Sequence, residues 1–184
     1  MERGVAADGI GLVGVLADSH DNRWALEAIL RRFADEGVVH VLHAGDFVAP
    51  FNARCLSGIS VPFTGVFGNN DGERPGLTKA FAKYGTLHVG PYAFDTRGRR
   101  IILMHEPVAV DALAVSGRFD VVVYGHTHET DVRKVAWADG NGSTLILNPG
   151  EAGGWLNGRA TAALLDLADL NVNVFDVPFA RTSE

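Results

Sequence analysis

Five short apolar runs in this chain each end in an acidic, amide or imidazole side chain, and that recurrence restricts the fold more than any bulk property. Gly11 to Ala17 leads into Asp18-Ser19-His20, Val38 to Leu42 into Gly45-Asp46, and Val61 to Phe67 into Gly68-Asn69-Asn70-Asp71. Arg100 to Met104 precedes His105, and Asp120 to Tyr124 precedes Gly125-His126-Thr127-His128. Apolar runs without polar alternation read as strands buried on both faces. After the first of them, Trp24, Leu26, Ile29, Leu30 and Phe33 recur at helical spacing, so strands and helices alternate. That order predicts a largely parallel α/β arrangement with right-handed crossovers. Beyond residue 130 the pattern changes. Thr130 to Trp137, Ser143 to Leu147, Thr161 to Asp166 and Val172 to Val177 read as strands separated by short Gly, Asn and Asp turns, which predicts an antiparallel end. No linker or internal repeat divides the chain, so residues 1–184 are expected to form one domain.

A hydrophobic share of 47% over 184 residues is enough for a sizeable core and excludes a disordered or fibrous chain. The net charge of -6 argues against general nucleic-acid binding, which calls for basic surface. A small substrate is expected instead. Cys55 is the single cysteine and has no metal-ligand spacing around it, which points to a reducing, cytoplasmic setting. No apolar run approaches a bilayer span, and the N-terminus lacks a basic-then-apolar leader pattern, so no membrane association is expected.

The residues that end the apolar runs share one chemistry. Asp18, His20, Asp46, Asn69, His105, His126 and His128 all offer oxygen or imidazole nitrogen, and the carboxyl ends of neighbouring strands in an α/β sheet face a common crevice. Seven such donors suit two metal ions that share one carboxylate, for which Asp46 is the candidate. Mixed oxygen and imidazole donors suit manganese first, with nickel, zinc or iron as alternatives, whereas magnesium or calcium would favour oxygen alone. A water between two cations about 3.5–4 Å apart becomes a hydroxide that can attack phosphorus in line. No serine or cysteine nucleophile is needed.

Taken in order, Asp18-Ser19-His20, Gly45-Asp46, Gly68-Asn69-Asn70-Asp71, His105 and Gly125-His126-Thr127-His128 resemble the calcineurin-like metallophosphoesterase superfamily. The short length and Asn148-Pro149-Gly150 are similar to its small YfcE and MJ0936-type phosphodiesterases. The resemblance implies a four-layer α-β-β-α sandwich. It also implies one metal on Asp18, His20, Asp46 and His128 and another on Asp46, Asn69, His105 and His126. Larger members carry histidine where this chain has Asn70, so an imidazole general acid is missing from that place; Asn70 is expected to bond a phosphate oxygen. Asp71 is expected to orient a ligand or loop beside the catalytic centre. Glu106 and Glu151 stand where the family often has glycine and serine, and either carboxylate would repel an anionic substrate unless it points away or contacts a basic group.

Plainer roles suit other residues. His43 reads as a buried histidine behind the ligands, His40 and His88 as surface or strand-end residues, and Trp24, Phe33, Phe47 and Phe51 as packing. Arg23 is balanced between a phosphate contact and a solvated helix face. The expected reaction is phosphodiester hydrolysis, with phosphomonoester hydrolysis by the same metal pair as an alternative. A Vps29-like interaction scaffold is the alternative from another class. A homodimer is compatible with the apolar late strands.

Overall fold

The computed structural model describes residues 10–178. The N-terminal leader reading falls on residues outside that range. In chain order the elements are β1 (Leu12–Leu16), α1 (Arg23–Asp35), β2 (His40–His43), a 3₁₀ segment (Pro50–Gly58), β3 (Phe63–Val66), α2 (Arg74–Phe81) and β4 (Gly85–His88). They continue with β5 (Tyr92–Thr96), β6 (Arg99–Leu103), α3 (Val110–Val115), β7 (Val121–Val123), β8 (Thr130–Ala136), β9 (Ser143–Pro149), β10 (Ala160–Asp166) and β11 (Val172–Val177).

Two mixed sheets form, in the orders β11-β10-β1-β2-β3-β4 and β5-β6-β7-β9-β8. Strands β1 to β4 run parallel, as do β6, β7 and β9, while β5, β8, β10 and β11 pair antiparallel. The expected antiparallel end therefore divides. The β8–β9 hairpin completes one sheet and the β10–β11 hairpin completes the other.

Strand alternation explains the layering. On β1, Val13 and Val15 enter a core between the sheets, with Leu42, Val66, Ile101, Leu103, Val121, Val123, Leu145 and Leu147. Leu16 points the other way, into a core shared with Leu26, Ile29, Leu30 and Phe33 of α1 and Leu77 and Phe81 of α2. A third core joins Ile102, Val122 and Ile146 to Val110 and Ala114 of α3. Three apolar interfaces between four layers give the α-β-β-α sandwich that the motif resemblance implies. Helix α1 starts where Asn22 accepts a hydrogen bond from the Ala25 amide, satisfying a free N–H of its first turn.

Several expectations change in three dimensions. Strands β4 and β5 lie outside the anticipated strand runs because they are half-exposed and carry no continuous apolar run. His40 stands at the start of β2, as a strand-end residue, but is buried rather than at the surface, hydrogen-bonded to Thr64 and, across to the other sheet, to Thr96. Trp24 and Phe51 are about half exposed (50% and 49%) and are not core residues, whereas Phe33 and Phe47 are buried. Arg23 pairs with Glu27 on the solvated face of α1. Among the described residues no helix is long and apolar enough to cross a membrane.

Two stability tests follow from this packing. A Cβ on Gly14 would lie 2.5 Å from the Phe33 ring, so Gly14→Val is expected to destabilise the protein by about 1–3 kcal/mol in denaturant unfolding. His43 is buried; its Nδ1 accepts from the Gly45 amide, which leaves the proton on Nε2 facing Ser19 Oγ. Burial depresses its pKa to about 3. The unfolded chain therefore takes up a proton that the folded protein refuses. The His43 contribution is complete above the ordinary histidine pKa of about 6.5 and is lost as pH falls toward 3. Unfolding free energies measured across that interval are expected to fall less steeply with acid in His43→Gln than in the wild type.

Candidate metal centre

The seven predicted donors come together at the carboxyl ends of β1, β2, β3, β6 and β7, where the two sheets adjoin. Asp18 and His20 follow β1, Asp46 follows β2, Asn69 follows β3, His105 follows β6, and His126 and His128 follow β7. After each strand the chain must turn sharply to aim side chains at the common edge. Asp18, His20, Asp46, His126 and His128 do so with φ of 54°, 41°, 61°, 69° and 62°. This left-handed region is rare for residues with a Cβ, although Asp and His tolerate it better than branched residues do. Each such residue costs on the order of 1–3 kcal/mol and persists where the surroundings over-determine it.

The donors fall into two groups around Asp46. In one, His20 Nε2 lies 3.4 Å from His128 Nε2, 3.8 Å from Asp18 Oδ1 and 3.6 Å from Asp46 Oδ2. In the other, His105 Nε2 lies 2.8 Å from Asn69 Oδ1, 3.3 Å from His126 Nδ1 and 3.4 Å from Asp46 Oδ2. Ligands about 2.1 Å from one ion, at right-angled to tetrahedral spacing, lie about 3.0–3.4 Å apart. The observed separations approach that spacing. Asp18 Oδ1 is buried and has no hydrogen-bond partner, which fits a donor atom aimed at a cation. Asp18 also contributes to both clusters of acidic and histidine side chains able to hold an ion. Its other oxygen, however, accepts the His126 amide, whereas Asp46 Oδ2 stands between a histidine of each group.

The surrounding hydrogen bonds orient these atoms. His105 Nδ1 donates to the Ala44 carbonyl at 2.8 Å, which aims Nε2 at the donor cluster. Asp46 accepts from the Asn70 amide N–H at 2.8 Å and from its side chain at 2.7 Å. Asn70 thus spends a side-chain donor on holding Asp46. Asp71 accepts from the backbone amides of Asp46, Val48 and Gly68, tying the β2 and β3 loops together. Asn148 does the same for the double-histidine loop, donating to the Gly125 carbonyl and Thr127 Oγ1. Gly125 is needed there, because a Cβ would come within 2.9 Å of Asp18 Oδ2 and 2.8 Å of Ala17 Cβ.

Burial raises the Asp18 carboxyl to about 6, against the pull of His105, His128 and the His126 amide. A dication beside it would act in the opposite sense and favour the carboxylate. Burial also opposes ionisation of Asp46, but hydrogen bonds from His105 and Asn70 outweigh it and hold that group below the usual carboxylate range. Burial lowers the pKa of His20. His105 moves upward because Asp46 outweighs the desolvation.

Two glutamates adjoining the motifs take different positions. Glu151 is buried and accepts from the backbone amides of Trp155, Leu156 and Asn157, and its Oε1 lies 3.4 Å from His128 Nδ1, within ion-pair range without hydrogen-bond alignment. It faces the protein rather than the open centre. Trp155, half exposed, donates its indole N–H to the His20 carbonyl. Glu106, by contrast, lines a cleft of about 350 Å³ beside Asn69 and His105. Sequence reasoning gave Glu151 no structural task; its only sequence signal was a carboxylate directly after Asn148-Pro149-Gly150.

Residues 12–170 match the calcineurin-like phosphoesterase superfamily domain. The chain is 31% identical over 158 residues to phosphodiesterase MJ0936 of Methanocaldococcus jannaschii, covering 84% of this chain and 92% of the relative. A solved structure described as a novel archaeal phosphodiesterase superimposes with a TM-score of 0.82 at 28% identity, covering 90% of this chain and 99% of that one. Vps29 of Chaetomium thermophilum shares the fold alone, with a TM-score of 0.63 at 17% identity over 93% of this chain and 97% of its own. With the ordered donor motifs, the four-layer fold and these likenesses together, the chain belongs to the calcineurin-like phosphoesterase superfamily and is a metal-dependent phosphoesterase.

Proposed function

We propose that this protein hydrolyses a small phosphodiester with a pair of divalent ions, manganese first among them. Asp18, His20, Asp46 and His128 would hold one ion, and Asp46, Asn69, His105 and His126 the other. When bound, such a pair acidifies water and neutralises phosphoryl charge. The protein's own task is to keep the donors in place: the Ala44 carbonyl directs His105, Asn70 fixes Asp46, and Asp71 and Glu151 hold the loops. Asn70 and Asp71 then act as positioning residues within the catalytic centre. The observation that carries the preference for a diester is the charge of the adjoining cleft. Its one basic residue, Arg74, is accompanied by the acidic Glu106. A singly charged diester meets less repulsion there than a doubly charged monoester. With Asn70 at the position of an imidazole acid, good leaving groups are favoured. The likeness to MJ0936 supports the same reading. The lone Cys55 and the acidic net charge support a cytoplasmic enzyme of one domain acting on a small substrate rather than a nucleic-acid polymer.

Metal-stripped protein is expected to be inactive on an activated aryl phosphodiester and to recover with manganese, with the matching monoester turned over more slowly. Asp46→Ala and His126→Ala are each expected to abolish the recovered activity while the circular dichroism spectrum stays native. Metal binding without turnover of either ester would instead favour a Vps29-like scaffold. Glu151→Ala is expected to weaken metal binding by about 10–100-fold, measured by competition with a chelating dye, because His128 and the loop beside it lose their anchor.

A further inference from the structure

The cleft beside Asn69 and His105 has a chemistry that metal binding does not use. Its walls include Phe67, Met104, Val89 and Val108, and Val89 and Val108 are 70% and 60% exposed. Apolar surface of this kind is suited to cover by a ligand. Arg74 is fixed in the cleft: its Nε donates to the Asp71 carbonyl at 3.2 Å and its guanidinium lies 5.2 Å from the Phe67 ring centroid. Its remaining guanidinium donors make no ion pair among the described residues and are available to an anion in the cleft. Glu106 follows His105 directly. Among the described residues its carboxylate has no ion pair or side-chain hydrogen bond, and Arg74 has no ion pair.

We propose that this cleft receives one ester substituent of the substrate, and that Glu106 selects a short alkyl arm ending in an ammonium group. The inference rests on the phosphodiesterase reading. The arrangement complements a zwitterion: an anionic phosphodiester toward Arg74 and the ligand positions, an apolar arm along Val89 and Val108, and a cation at Glu106. A carboxylate on the arm would meet Glu106 as a like charge, and a plain alkyl arm would offer the exposed Glu106 carboxylate nothing beyond its water.

The test uses manganese-loaded protein and 4-nitrophenyl phosphodiesters whose second substituent is ethyl, 2-aminoethyl or carboxymethyl. Binding of ethyl and 2-aminoethyl methylphosphonate, in which a P–C bond replaces the 4-nitrophenyl ester and no activated leaving group remains, is measured in parallel by calorimetry. The wild type is expected to favour the aminoethyl arm over ethyl by about tenfold in both kcat/KM and Kd, the size of one charge-assisted hydrogen bond, with carboxymethyl last. Glu106→Gln is expected to bring the aminoethyl and ethyl values together. Equal affinities in the wild type, or an aminoethyl preference that survives in Glu106→Gln, would overturn the proposal. Should no diester turn over while the Glu106-dependent binding preference persists, the cleft assignment stands and the phosphodiesterase reading falls.

Discussion

The apolar layer between the two sheets is the contact on which the centre depends. Val13, Val15, Leu42 and Val66 from one sheet pack against Ile101, Leu103, Val121, Val123, Leu145 and Leu147 from the other. Burial of this kind scales with the apolar area removed from water and does not by itself orient anything. Here it holds the ends of β1, β2 and β3 beside those of β6 and β7. Asn69, which follows β3, therefore comes within 2.8 Å of His105, which follows β6 in the opposite sheet. A slip between the sheets would separate the two sets of donors without breaking either sheet.

That rigidity is spent on strain at the site. Five of the donor residues adopt positive φ, and several acceptor atoms converge with little solvent among them. Neither feature is stable in isolation. Both are offset by the loops' mutual hydrogen bonds: the Asp18 amide donates to the Gly45 carbonyl, the His20 amide to Asp46 and the Gly125 amide to His105. Asp71 and Glu151 add three backbone amides each. The ligand loops therefore hold one another, rather than each being folded by its own propensity.

The acidic residues show how placement decides chemistry. Asp46 and Asp18 face the donor cluster, Asp71 and Glu151 turn toward backbone amides, and Glu106 stands in a cleft with Arg74. Glu106 and Glu151 look alike as departures from a family pattern, since each places a carboxylate next to a motif residue. Only one of them faces the space that a substrate would enter. The separation leaves Glu106 as the single acidic side chain lining the cleft beside Asn69 and His105.

The candidate donor set was legible in the sequence because each member lies within a few residues of the end of an apolar run, and the end of a buried strand is a local property of pattern. Asp18, His20, Asp46, Asn69, His105, His126 and His128 could thus be gathered, and most strands located, from periodicity alone. The half-exposed β4 and β5 escaped because four or five residues with mixed burial carry little periodic signal. Which sheet each late hairpin joins, the burial of His40 and the exposure of Trp24 were likewise decided by tertiary packing. Asp71, Glu151 and Glu106 illustrate the same boundary. Their identities are local, but the direction of a carboxylate depends on which amides, cations or open space the folded chain brings within about 3 Å of it, and hydrogen-bond partners distant in sequence leave no local trace.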